Sequence, residues 1–293
     1  MSTSMPTKNR QISRAARITG IGLIVLHVGA LAAFLPQMFS WTAVGIGFLF
    51  YYLTIALGVG LGYHRLLTHR SLRTPKAIEY GLAILGALSL QGGPLDWVGT
   101  HRAHHAHTDA EGDPHDANRG MFWSHIEWLY RYNAAKPVGA ALERLVPDLA
   151  DDRFYAFLEK TYVWWTVALA LAFFAIGGLP WVVWGIFVRI VVTYHITWLV
   201  NSAAHEVGYQ TYRTGDKSTN NWWVAILTWG EGWHNNHHAF PASARHGLRW
   251  YELDATWITI KVMKALKLAH DIKLPTPGMI ARMTLAPRTP RRI

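Results

Sequence analysis

The stretch His101-Arg-Ala-His-His105 places three histidines at positions i, i+3 and i+4. In a helix these positions share one face, so three imidazole rings can converge on one point. The same spacing returns in His234-Asn-Asn-His-His238, near the other end of the chain. Neutral imidazole is the commonest side-chain ligand for borderline metals. The two clusters therefore predict a metal site around which the whole chain is organised.

Two shorter segments carry the remaining candidate ligands. His64 and His69 lie five residues apart, and Asn201 and His205 lie four residues apart. A single histidine is more often a hydrogen-bonded structural residue, but nine in four short segments are not explained in that way. On an α-helix, a five-residue separation turns two side chains about 140° away from each other. His64 and His69 are therefore expected to serve different metal ions, or the helix to end between them.

The composition narrows both the chemistry and the surroundings of this site. The 293-residue chain has no cysteine, which excludes disulfides, thiolate zinc sites and iron–sulfur clusters. It is 51% hydrophobic and contains 15 tryptophans, a residue that favours the boundary between membrane and water. Its formal net charge of +10 would suit nucleic acid or anionic lipid. The position of these charges relative to the apolar runs decides for membrane lipid as the partner and against nucleic acid.

Four long apolar runs predict membrane-spanning helices. They cover residues 18–35, 41–62, 162–179 and 181–200, and short uncharged turns join them in two pairs. Both turns are expected on one side of the membrane, and the basic N-terminus and the arginine-rich tail on the other. Basic residues mark the cytoplasmic side. Both termini and the metal site are therefore predicted to be cytoplasmic.

The predicted fold is an all-α membrane protein, with four transmembrane helices in two hairpins below a cytoplasmic helical cap that holds a dimetal site. The integral membrane domain covers residues 18–255, with the cap at 63–161 and 201–255. A basic segment, 1–17, precedes it, and a basic helix with a loose tail, 256–293, follows it. The apolar stretch Tyr80–Leu90 is too short for a crossing and is interpreted as a buried or interfacial helix.

Taken together, the histidine segments closely resemble those of the membrane fatty acyl desaturases, of the stearoyl-CoA desaturase-like Δ9 family. The motifs HxxxxH, HxxHH and a second HxxHH occur in that order, separated by hairpin-forming runs. Gly112-Asp-Pro-His115 and Thr197-Trp-Leu-Val-Asn201 match as well, and the likeness runs from roughly residue 40 to 255. The resemblance implies O2-dependent insertion of a cis double bond, at Δ9, into a long-chain acyl-CoA or acyl-lipid.

The same resemblance implies a centre of two iron ions with nine histidine ligands, while Asn201 holds a tenth position through water. These histidines are His64, His69, His101, His104, His105, His205, His234, His237 and His238. Breaking a methylene C–H bond needs a strong oxidant, which iron can supply and redox-silent zinc cannot. Zinc is expected only as a substitute in purified protein, since imidazoles bind it well.

Acidic residues near the clusters are candidates to accept the spare ring N–H of a ligand and so to fix its tautomer. They are Asp109, Asp113, Glu206 and Glu231. A plain surface or capping role is the alternative for each. No flavin, nicotinamide or iron–sulfur motif is present, so the resemblance also implies an external electron donor, ferredoxin or cytochrome b5-like.

A long acyl substrate needs a narrow apolar tunnel that runs from the metals between the spans. Arg102, Arg131 and Trp198 are candidates to hold its head, and Phe48 and Tyr52 to form its floor. Ordinary packing is the alternative for the two rings of the floor. Gly99-Thr100 stands where animal acyl-CoA enzymes have Arg-Asp, which leaves an acyl-lipid substrate open.

Three other functions fit parts of the pattern. A lipid or alkane hydroxylase or ketolase would share iron, O2 and scaffold, so only its oxygenated product would distinguish it. A zinc hydrolase fails, because His205-Glu-Val-Gly-Tyr209 begins like an HExxH motif but has Tyr209 at the second ligand position. A metal transporter would place its ligands within the membrane, whereas these cluster outside the spans.

Overall fold

The computed structural model describes residues 14–132, 137 and 139–285. Within these residues the regular structure is helical, and extended pairing is limited to isolated bridges such as the one between Arg73 and His270. The prediction of an all-α fold is therefore confirmed for this part of the chain. The first thirteen residues of the predicted basic segment and the last eight of the predicted tail lie outside the described residues.

Fourteen α-helices are described, joined by turns and by short π- and 3-10-helical segments. The α-helices are α1 (Arg14–Leu31), α2 (Trp41–Tyr52), α3 (Lys76–Ala87), α4 (Pro94–His107), α5 (Trp128–Tyr132), α6 (Ala140–Glu143), α7 (Pro147–Ala150), α8 (Arg153–Val182), α9 (Arg189–Asn201), α10 (Ala203–Glu206), α11 (Trp222–Leu227), α12 (His234–Ala239), α13 (Ala255–Ala265) and α14 (Pro277–Met283). The π-helical segments are Leu53–Thr68, Trp123–Glu127 and Val183–Val188, and the 3-10 segments are Ala32–Phe34, Pro36–Met38 and Ala117–Arg119.

Three helical stretches are long and apolar enough to cross a membrane, namely Ala16–Phe34, Trp41–Thr68 and Arg153–Glu206. The first contains all of the first predicted span except Leu35, and the second contains the second predicted span and continues six residues beyond its predicted end at residue 62. The third, at 54 residues, contains both of the later predicted spans.

The chain reverses inside this third stretch, at Gly178. Its backbone angles there are φ 68° and ψ −162°, a conformation that only glycine adopts readily. A Cβ placed on Gly185 would lie 2.5 Å from the ring of Phe173, twelve residues earlier. A straight helix would hold these residues about 18 Å apart. The segments before and after Gly178 are therefore the two arms of a hairpin, as the uncharged turn predicted.

The second stretch is the element that carries the first two histidines. Ser40 starts it by accepting a hydrogen bond from the N–H of Ala43. Its π-helical part packs tightly on α3, because a Cβ on Gly58 would lie 2.4 Å from the backbone nitrogen of Gly86. Helix α3 is not among the candidate crossing helices of the described chain. It agrees with the buried helix predicted at Tyr80–Leu90, although its bounds are Lys76–Ala87.

Candidate metal centre

The nine predicted histidines come together in two neighbouring groups, and within each group the candidate ligand atoms lie within 4.8 Å of one another. The five-ring group consists of His64, His69, His101, His105 and His237, and the four-ring group of His104, His205, His234 and His238. The two groups adjoin, since the ring centroids of His105 and His238 are 4.7 Å apart. Rings that lie far apart in the sequence thus form one buried centre.

Helices α4 and α12 each supply rings to both groups. On α4, His101 and His105 belong to the five-ring group and His104 to the four-ring group. On α12 the assignment is reversed, with His237 in the first group and His234 in the second. Because residues four apart lie on one face of a helix and the residue between them is turned away, each HxxHH motif is shared by both groups.

Of the two alternatives expected for His64 and His69, the structure has the second, in which the helix ends between them, and the two rings do not diverge. Their ring centroids are 4.9 Å apart, and both rings belong to the five-ring group. The segment that carries them is a π-helix, in which hydrogen bonds join residues five apart and bring such residues about one turn apart. The N–H of His69 donates to the carbonyl oxygen of His64 at 3.1 Å, and the helix ends between them at Thr68.

The ring nitrogens face one another in a way that requires a cation or a proton between them. Nε2 of His64 lies 3.0 Å from Nε2 of His237, and Nε2 of His234 lies 3.0 Å from Nε2 of His205. Two atoms that are each about 2.1 Å from one ion, at right angles, lie about 3 Å apart. These spacings therefore fit imidazoles that share a metal ion.

Further ring nitrogens lack any protein partner. Nε2 of His69, His104 and His238 is buried without a hydrogen bond among the described residues. Burial, followed by the charges of neighbouring imidazoles, holds the pKa well below the usual value for His101, His104, His105, His234 and His237. Neutral rings with free nitrogens are the form in which histidine binds metal.

Three of the four predicted acids contact the histidines. Nδ1 of His205 donates to Asp109 at 3.1 Å, and Nδ1 of His104 donates to Asp113 at 2.9 Å. Nδ1 of His64 donates to Glu231. A proton held on Nδ1 in this way leaves Nε2 free to bind a metal ion.

Glu206 does not take the predicted position. It is the last residue of α10, its side chain is exposed, and no hydrogen bond joins it to a histidine of the described chain. Its sequence neighbour His205 points into the centre, and Glu206 therefore points outward. The prediction for Glu206 rested on sequence adjacency alone, which does not determine the direction of a side chain.

Three residues at the centre were missed by the sequence analysis. Asp216 accepts from Nδ1 of His238 at 2.9 Å, although 22 residues separate the two. His246 is buried with its ring 4.6 Å from that of His237. Arg65 is fully buried and donates to Glu231, and this charge helps to lower the pKa of Glu231 against the opposing effect of burial. No spacing pattern in the sequence marks any of the three.

Two cavities reach the histidines. The smaller, about 50 Å³, lies between the two groups and is lined by His64, His101, His104, His234 and Asn201. The larger, about 430 Å³, extends from His101 and Asn201 to the surface of α1 and has Trp198 in its wall. Asn201 lines both cavities, so this residue lies where the large cavity approaches the centre.

The other predicted substrate residues lie elsewhere. Arg102 donates to Asp148 at 2.6 Å and to backbone carbonyl groups, so it ties α4 to α7. The ring of Phe48 is 60% exposed and packs on Trp229, and the hydroxyl of Tyr52 bonds to Thr259. None of these residues lines either of the two cavities that reach the histidines. The side chain of Arg131 lies outside the described part.

Comparisons with known proteins agree with this arrangement. The family model of the fatty acid desaturases matches residues 39–269. The chain is 55% identical over 249 residues to the sn-1 stearoyl-lipid 9-desaturase of Anabaena variabilis, covering 85% of this chain and 90% of that relative. It is 53% identical over 256 residues to the protein of the same name from Synechocystis, covering 87% and 80%. The palmitoyl-monogalactosyldiacylglycerol delta-7 desaturase of Arabidopsis thaliana chloroplasts is 48% identical over 264 residues, covering 90% and 71%.

Proposed function

This chain belongs to the fatty acid desaturase family and is a fatty acyl desaturase, and we propose that it inserts a cis double bond at Δ9 into the acyl chains of membrane lipids. The family assignment confirms the resemblance noted from the histidine motifs. The relatives from Anabaena variabilis and Synechocystis, at 55% and 53% identity, are both stearoyl-lipid 9-desaturases by name, which supports this position and a lipid-borne substrate over acyl-CoA.

The observation that carries the proposal is the convergence of nine imidazoles in two groups beside a cavity. The five-ring group would hold one iron ion, and the four-ring group would hold the other. Asn201 would complete the second site through water, because its side chain lines the small cavity together with His104 and His234. When bound, the iron pair would supply the O2 chemistry that breaks two unactivated C–H bonds.

The protein's own residues orient the metal ligands and keep water away from the acyl chain. Asp109, Asp113 and Glu231 hold protons on Nδ1 of their histidines, which fixes the rings in the ligating tautomer. The apolar wall of the large cavity holds the acyl chain and excludes water, with Trp198 beside the end that reaches Asn201. In balance, one –CH2–CH2– unit, O2, two electrons and two protons give –CH=CH– and two waters. The electrons would come from a separate carrier, ferredoxin or cytochrome b5-like.

We further propose that the chain crosses the membrane four times, with both termini and the metal centre on the cytoplasmic side. The reversal at Gly178 supports two crossings within the stretch Arg153–Glu206, in addition to those of Ala16–Phe34 and Trp41–Thr68. The first pair is joined by the uncharged segment Leu35–Ser40, as the positive-inside rule requires of the far side.

Lipid analysis after expression tests this function directly. The chain would be expressed with ferredoxin in bacteria that make no Δ9 double bonds, and His105→Ala would serve as the inactive control. Gas chromatography–mass spectrometry is expected to show new cis-Δ9 acyl chains in lipids with the wild type alone. Oxygenated chains, or double bonds at another position, would contradict the proposal.

A further inference from the structure

We propose that acyl chains reach the metal centre sideways from the bilayer, through a gap between α1 and the first arm of α8. This inference rests on the proposed function, in which the substrate is the acyl chain of a membrane lipid. Such a chain prefers hydrocarbon to water at every methylene, so a path that never leaves the bilayer is favoured.

The large cavity has one wall on each of these two helices. Ile18, Thr19 and Gly22 line it from α1, and Tyr162 and Val163 line it from α8. The wall residues Ile18 and Val163 are nevertheless 61% and 46% exposed. A residue that lines a cavity and is also exposed marks its mouth. The mouth therefore lies on the surface of two helices that are apolar enough to cross a membrane.

Helix α1 is fastened to the protein along its other side. A Cβ on Gly29 would lie 2.3 Å from the ring of Phe187, and Nε2 of His27 lies 3.0 Å from Nε2 of His195 on α9. Leu26 packs in one cluster with Ile190. Helix α8, by contrast, shares no extended packing with α1 along the described residues of the two helices. Among the described residues, α1 and α8 are therefore not packed directly against each other along their length.

The cavity changes character from its mouth to its inner end. Leucine and isoleucine side chains line it at α1, whereas Gln91, Thr197 and Asn201 line it beside His101. An acyl chain that enters between α1 and α8 thus passes along apolar surface until its middle meets the histidines, while its ester group stays at the mouth. At about 430 Å³, the cavity lies within the range that small-molecule sites occupy.

Gly22 offers a way to block the mouth without disturbing the fold. A Cβ at Gly22 meets no atom within 4 Å, and the residue is exposed. Gly45 on α2 is a matched control, because its Cβ also meets nothing within 4 Å, it is exposed, and it lines neither cavity. The experiment compares Gly22→Trp with Gly45→Trp, measuring iron per chain and desaturation of bilayer lipid.

Gly22→Trp is expected to lower lipid desaturation about tenfold or more at unchanged iron content, because the indole overfills the passage. Gly45→Trp is expected to keep the wild-type rate. Wild-type desaturation in both variants would overturn the proposal, since chains would then arrive from the aqueous cap. A wild-type protein that makes no double bonds would instead contradict the proposed function and leave no substrate path to assign.

A second measurement acts after folding is complete. The chain has no cysteine, so Gly22→Cys and Gly45→Cys each create a unique thiol. A bulky maleimide dissolved in the bilayer is expected to abolish desaturation by the Gly22→Cys protein and to leave the Gly45→Cys protein active. Full activity of the labelled Gly22→Cys protein would contradict the lateral path.

Discussion

The five-ring and four-ring groups hold their imidazoles in different ways. In the four-ring group, three of the four rings donate from Nδ1 to a carboxylate: His104 to Asp113, His205 to Asp109 and His238 to Asp216. Among the described residues, His64 is the only ring of the five-ring group with such a partner, which is Glu231. The other rings pack on one another and on Trp97, whose ring stacks 5.1 Å from that of His101.

This difference shows that different interactions can orient the ligands of two chemically similar sites. Hydrogen bonds to acids set the tautomer and direction of rings in the four-ring group, whereas close packing of ring against ring orders most of the five-ring group. Loss of a single acid should therefore be felt most strongly in the four-ring group.

The largest effects are expected from removing one ring of each group on the same helix. His104→Ala should lose the ion of the four-ring group and His105→Ala that of the five-ring group. Loss of a residue that hydrogen-bonds to a metal ligand can lower activity by about 100-fold. Loss of the ligand itself should lower activity by more than this in each variant. Iron per chain, measured by mass spectrometry, is expected to fall from two to one. The exposed His107, also on α4, is the control, and His107→Ala should keep both ions.

A smaller effect is expected when an acid of the four-ring group is replaced. Asp216→Asn should weaken the second iron by about 10- to 100-fold and leave the first unchanged, because the histidine that loses its carboxylate acceptor, His238, belongs to the four-ring group. Isothermal titration with iron under anaerobic conditions would resolve the two affinities. Glu206→Gln should alter neither, as Glu206 faces away from the centre. Equal weakening of both ions by Asp216→Asn would refute the distinction between the groups.

Asn201→Ala is expected to be milder still in metal content. If Asn201 acts through water, the variant retains both ions and loses rate, since its side chain lies between the cavity and the centre. An ion lost as completely as in His104→Ala would show that Asn201 binds it directly.

The smallest effect is expected from a change that loosens the position of α4. It should affect both groups alike, because α4 carries rings of both. Burial raises the pKa of Asp148, but hydrogen bonds and charge from Arg102 and Arg70 outweigh this effect and lower the pKa to about 2. A lowered pKa stabilises the fold above the unfolded value of about 3.9, and this contribution is lost as the pH falls towards 2. Asp148→Asn should cost about 0.5 kcal/mol, discounted because the group is partly exposed. The Tm difference from wild type should shrink between pH 6 and pH 3, and a constant difference would contradict this.

Local spacing was sufficient to predict that the six rings of the two HxxHH motifs lie close together, because positions i, i+3 and i+4 lie near one face of a helix. The sequence did not predict that His64 and His69 lie together in one group. Their position depends on π-helical hydrogen bonding in a segment that also packs against α3. The sequence also did not predict contacts between side chains that are far apart in the chain. Asp216 meets His238 only through the folding of the intervening segment, which contains α11, whereas Glu206, adjacent to His205 in sequence, turns away. Phe48 and Tyr52 had the right chemistry for a tunnel floor, but α2 turns them towards Trp229.

Iron titration of the metal-free protein in lipid nanodiscs, under anaerobic conditions, tests the central claim most directly. The two histidine groups predict saturation at two ions per chain, with lipid desaturation appearing only as the second ion binds. Saturation at a single ion, or desaturation by the iron-free protein, would contradict the account.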